Sequence, residues 1–127
     1  MKRVVKWVAA FAIGAAGYAV VEIIYRGHTH WSMMIAGGVC FIIFSVIAKR
    51  LSHIPLVCRA VIAAMAVTAV EFIFGVIFNI IFKMGVWDYS NQVCNLCGQI
   101  CPLFSFLWCG LAFLTLPLAS LFNKSFE

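Results

Sequence analysis

The polar and apolar positions of this chain separate into whole segments. Four long apolar runs occupy residues 4–25, 31–48, 56–82 and 99–122, with short polar stretches between them. Each run approaches or exceeds the ~18–20 residues that an α-helix needs to cross the hydrocarbon core of a bilayer. The alternation of a strand is missing from all four. A backbone in lipid must satisfy its own hydrogen bonds, so helices are expected. The third run is the longest and predicts a helix that tilts or emerges from the bilayer. The expected fold is all-α: a polytopic membrane protein with a four-transmembrane-helix bundle, forming a single integral membrane domain over residues 1–127. A signal peptide is the competing reading of the first run, which has a basic start and small residues at positions 14–17. That run continues to Tyr25, longer than a typical signal core.

Composition strengthens the membrane reading. Of 127 residues, 65% are hydrophobic and 10% charged, whereas a soluble domain carries roughly 25% charged residues. No G-x-x-x-x-G-K-[ST] or G-x-G-x-x-G loop occurs, so any use of ATP requires a separate ATPase subunit. The net charge of +5 does not point to nucleic acid, because the basic residues flank apolar runs. Lys2, Arg3, Lys6, Lys49, Arg50, Arg59 and Lys124 fall at the termini and the middle connection; only Arg26 and Lys83 fall at the other two. Seven against two places both termini and the middle connection in the cytoplasm of a multi-pass cell-membrane protein. Trp7, Trp31 and Trp87 stand near the expected interfaces, where indoles anchor.

Two glutamates carry the candidate chemistry. A carboxylate in hydrocarbon is costly unless protonated, hydrated or paired. Glu22 has Arg26 one helical turn later, at a spacing that allows neutralisation. Glu71 has no such cation. It shares a helical stripe with Ala64, Thr68, Gly75 and Asn79, which reads either as a packing seam or as one wall of a polar site. Ala10 and Gly14 make a similar small face on the first run, and a meeting of the two faces would bring the glutamates together. The candidate intramembrane polar site is therefore Glu22, Arg26, Glu71 and Asn79, suited to a cation, a proton or an amine. A weak internal repeat, Val21-Glu22-Ile23-Ile24-Tyr25 against Val70-Glu71-Phe72-Ile73-Phe74, suggests two parallel hairpins.

The connection at residues 83–98 is the most polar stretch, and contains Trp87, Asp88, Tyr89 and Asn91. Cys94, Cys97 and Cys101 form C-x-x-C-x-x-x-C. A metal site would lack a fourth ligand at zinc-finger spacing, although His28 and His30 lie on the other connection of that side. A Cys94–Cys97 disulfide fits an oxidising exterior better. Cys40, Cys58 and Cys109 lie in or beside apolar runs and read as small packing residues. Lys49, Arg50 and His53 form a cytoplasmic patch that fits either a partner or anionic lipid, or simple anchoring. No metal or cofactor is expected. A Ser-His-Asp order, H-E-x-x-H and paired carboxylates in a soluble pocket are absent from the sequence, so an enzyme is not expected either.

The order of these motifs resembles the CmpB-like family of type IV ABC-transporter membrane proteins. The matching pieces are Gly17-Tyr18-x-x-x-Glu22-x-x-Tyr25, Gly27-His28-Thr29-His30-Trp31-Ser32, Glu71-Phe72-x-x-Gly75-x-x-x-Asn79 and Val86-Trp87-Asp88-Tyr89-Ser90-Asn91. They end with Asn95-Leu96-x-Gly98-Gln99-Ile100-Cys101, followed by Phe106 and Trp108. The resemblance implies a membrane component of a transport system. It marks Glu22, Glu71, Trp87, Asp88, Tyr89, Asn95, Gly98 and Trp108 for testing without assigning a role to any. Cys94 and Cys97 fall outside the shared pattern.

Three functions compete. One is a small membrane subunit of an ABC-type transporter, working with a separate membrane or ATPase subunit or as a homo-oligomer. The second is a self-sufficient small transporter acting as an oligomer. The third is a structural or regulatory membrane protein without transport.

Overall fold

The computed structural model describes residues 2–126, with the side chains of Lys2 and Arg26 outside the described set. It is all-helical apart from loops, as the apolar runs predict. Helix α1 spans Lys2–Arg26, α2 Trp31–Arg50, α3 Leu56–Gly75 and α4 Pro102–Lys124, and a π-helical segment, Val76–Ile81, continues α3. Among the described residues, four helices are long and apolar enough to cross a membrane.

Local chemistry sets the helix ends. The His30 ring nitrogen Nδ1 accepts from the Ser32 amide at 3.2 Å, capping α2. Lys49 and Arg50 lie in its last turn, where positive charge offsets the helix dipole. Pro55 precedes α3, and Pro102 occupies the first turn of α4, where its missing N–H costs nothing. Gln99 and Ile100 belong to the preceding loop, because the chain turns there through a Leu96–Ile100 bridge.

Packing differs between the two ends of the bundle. At the end carrying the termini, the helices meet through alanine: Ala10, Ala48, Ala60, Ala63, Ala112 and Ala119 are all buried. Small side chains let helix backbones approach and gain van der Waals contact, the main source of helix association in lipid. The α1–α2 seam is tighter still. A Cβ added to Gly37 would lie 2.5 Å from the Tyr18 Cβ, and one added to Gly14 would lie 2.5 Å from the Gly37 carbonyl oxygen. The small face of α1 therefore packs on α2, not on α3. The sequence allowed a meeting of the α1 and α3 faces, but α1 packs extensively against α2 alone.

At the other end, the segment between the π-helical turn and α4 folds inward. Val86 and Trp87 are buried with Met33, and pack beside Tyr18, Phe74, Phe78 and Tyr89. The loop caps this end of the bundle, and its Val86 and Trp87 reach into it.

Candidate functional site

Beneath this cap lies a cavity of about 350 Å³. All four helices and Trp87 contribute to its wall, which includes Gly17, Tyr18, Cys40, Glu71, Trp87 and Trp108. The wall is almost entirely apolar, apart from a few polar atoms. Glu71 is the ionisable carboxyl among them, and only 7% of it is exposed.

The Glu71 carboxyl faces two donors. The Tyr89 hydroxyl donates to Oε2 at 3.1 Å. The other oxygen, Oε1, is buried and makes no hydrogen bond of good geometry among the described residues. The Trp108 indole N–H, buried likewise, is the second donor beside the carboxyl. Tyr89 and Trp108 thus bracket a carboxyl that borders the cavity. Burial, and then the neighbouring Glu71 carboxyl, push the Tyr89 phenol well above its ordinary value, so it stays a proton donor.

A hydrogen-bonded framework holds the cap in place. Asn79, in the π-helical turn, ties it to the end of α3. Its side-chain N–H donates to Gln99 Oε1 at 2.8 Å, and its Oδ1 accepts from the Val86 amide at 2.6 Å. The Trp87 indole donates to the Gln99 carbonyl at 3.0 Å. Gly75 leaves room for this joint, since a Cβ there would lie 2.5 Å from Gln99 Oε1. The π-helical turn interrupts the α-helical spacing that the stripe from Ala64 to Asn79 assumed. Glu71 faces the cavity, Thr68 bonds Ser105 of α4 at 2.8 Å, and Asn79 is given to the cap.

Asp88, Asn95 and Gly98 form the outer knot of the cap. Asp88 Oδ1 accepts from the Ser90 amide at 2.9 Å. Asn95 donates to the Ser90 and Gln92 carbonyls and accepts from the Gly98 amide. Gly98 has φ +71°, and a Cβ there would lie 2.9 Å from Asp88 Oδ1. The Tyr89 amide donates to the Gly98 carbonyl at 2.7 Å, which ties the knot to the residue that holds Glu71. Tyr89 also stacks on Phe104 at 4.6 Å. Cys94 and Cys97 are both exposed and are free thiols in this structure.

Glu22 stands apart from the cavity wall. It accepts from Thr29 at 2.8 Å and from Tyr18 at 3.3 Å, so it fastens the end of α1 to the α1–α2 loop. Its expected pairing with Arg26 lies outside the described side chains. The described members of the intramembrane constellation thus lie in three places: Glu22 at the end of α1, Asn79 in the π-helical turn under the cap, and Glu71 at the cavity. Tyr18, Gln99 and Gly17 were not singled out as site residues from the sequence. All three stand in the Gly17-Tyr18 and Gly98-Gln99-Ile100 pieces, which was the available signal.

A family model described as "Putative ABC-transporter type IV" matches residues 7–126. The chain belongs to this family. It is a multi-pass membrane protein of ABC-transporter type, and the CmpB-like resemblance of its motifs agrees with that membership. No curated protein and no solved structure matches the chain. The match spans all four helices, the cap and the Glu71 cavity.

Proposed function

We propose that this chain is the membrane component of an ABC-type transport system, that a separate subunit supplies ATP hydrolysis, and that the Glu71 cavity is its working site. The observation that carries this reading is a carboxyl buried in an apolar cavity, with no cation beside it and only the Tyr89 hydroxyl and the Trp108 indole N–H as donors among the described residues. Isolated carboxyls at such depth are expensive and mark pathways and binding sites in membrane proteins. The cap leaves α3 through a π-helical segment, a feature common at functional sites. Both termini and the 51–55 connection face the cytoplasm by the distribution of Lys and Arg, so an ATPase would dock on that end, beside Lys49, Arg50 and His53.

Purification of the tagged chain from native membranes in mild detergent, with identification of what accompanies it, tests the reading. An ATPase subunit in stoichiometric amount is the expected result. A stable assembly of this chain alone, with transport activity on reconstitution, would overturn the need for a separate motor.

A further inference from the structure

We infer that the cavity binds an amphiphilic ammonium compound: an N–H-bearing cationic head on a compact apolar body, admitted sideways from the bilayer between α1 and α4. This rests on the reading of the Glu71 cavity as the working site and adds the class of its ligand.

Three independent features converge on that chemistry. The first is the Glu71 carboxyl, 7% exposed and bordering the cavity. A carboxylate can accept a further donor besides Tyr89 and Trp108. An ammonium N–H supplies that donor and its charge complements a carboxylate. Tyr18, Trp87 and Trp108 present aromatic surface to the same space, and the Tyr18 and Trp108 rings lie 6.3 Å apart. Such surfaces attract cations through the ring quadrupole. An anionic head would meet the Glu71 carboxyl with like charge.

The second feature is Gly17. Glycine inside a helix costs about 1 kcal/mol relative to alanine. At Gly14 and Gly37 close packing accounts for it. At Gly17 nothing lies within 4 Å of where a Cβ would stand, yet the residue lines the cavity. Its missing side chain keeps volume open.

The third feature is the entrance. Ile13, Gly17 and Val21 on α1, and Leu111 and Leu118 on α4, border the cavity and are exposed. These two helices do not pack extensively on each other, so the cavity opens along their gap. In a bilayer that gap faces the acyl chains, where an apolar body concentrates and a bare ion does not. The volume of about 350 Å³ falls within the range of small-molecule sites, ~300–1,000 Å³.

The test uses the full chain in phosphatidylcholine nanodiscs and tritiated 1-adamantylamine as probe. Unlabelled 1-adamantanol and 1-adamantanecarboxylate serve as neutral and anionic isosteres. Saturable amine binding is expected, with both isosteres competing at least tenfold more weakly. Glu71→Gln should bring amine and alcohol to within about twofold of each other. Gly17→Leu keeps the carboxyl but fills the volume, and should remove binding of amine and alcohol together from a protein of unchanged helix content. Nanodiscs containing phosphatidylethanolamine identify the source: competition by that lipid makes the native ligand an aminolipid, and its absence makes it a free amine. Either result supports the ammonium class. Equal competition by alcohol and amine, or an undiminished amine preference in Glu71→Gln, overturns it. Overturned binding alongside a co-purifying ATPase would reject the ligand class and not the transport role.

Discussion

At the scale of single residues, Glu71 and Tyr89 act as a unit. The phenol donates to the carboxyl at 3.1 Å, and the Trp108 indole N–H is the other donor beside it. Removing a donor from a buried acceptor costs about 1–3 kcal/mol. Tyr89→Phe should therefore lower the unfolding free energy by roughly that much, measured by chemical denaturation in mixed micelles. It should keep the stack on Phe104, which needs only the ring. A variant as stable as wild type would show that the carboxyl has another partner in the membrane. Gly98→Ala tests the knot separately. The left-handed φ alone costs an L-residue roughly 1–2 kcal/mol, and the new Cβ crowds Asp88. Loss of the cap should appear as new solvent access to Trp87, read by acrylamide quenching in a variant whose other three tryptophans are Phe; unchanged quenching would contradict the knot's structural role. The sequence pointed to Glu71 because a carboxylate stands out in a long apolar run. It gave no means to see Tyr89 as its donor, since the two lie eighteen positions apart and meet only through the folding of the cap.

At the scale of elements, the helices were legible and their neighbours were not. Apolar length alone implies a helix in lipid, and Pro55, Pro102 and the basic pair at positions 49–50 mark ends with local chemistry. Which helix lies beside which depends on small residues that look alike in sequence. Gly14 and Gly37 decide one seam by contact distance, which no spacing rule reports. Gly37→Val should cost about 1–3 kcal/mol through overpacking and loosen α1 from α2. Disulfide trapping between cysteines introduced on α1 and α2 should then slow markedly. Trapping at the wild-type rate would place the seam elsewhere. The cap is the reverse case: its motifs were visible, and their inward fold was not. Its strength comes from Asn79, Asn95 and Gln99. Replacing Cys94 and Cys97 together with Ser should therefore leave assembly and activity within about twofold of wild type. If the two pair outside the cell, the bond would close a short loop, which stabilises least in the entropy account. Loss of assembled protein in that double variant would reveal a covalent or metal bridge that the cap requires.

At the scale of the whole molecule, the four helices divide the labour. The alanine-packed end carries both termini, while the capped end holds the cavity and its carboxyl. That division suits a component driven from one side and loaded from the other or from the bilayer. Ser52, exposed on the 51–55 connection, should be labelled as an introduced cysteine only after the membrane is opened. Labelling in intact cells would invert the orientation. The central claim is that Glu71 makes the cavity work, and Glu71→Gln tests it most directly, because it keeps the shape and removes the charge. In the complex purified with its ATPase and reconstituted in lipid, this variant should assemble at the wild-type level and lose at least tenfold of the transport-coupled ATP turnover. An assembled Glu71→Gln complex that turns over ATP and transports like wild type would contradict the account.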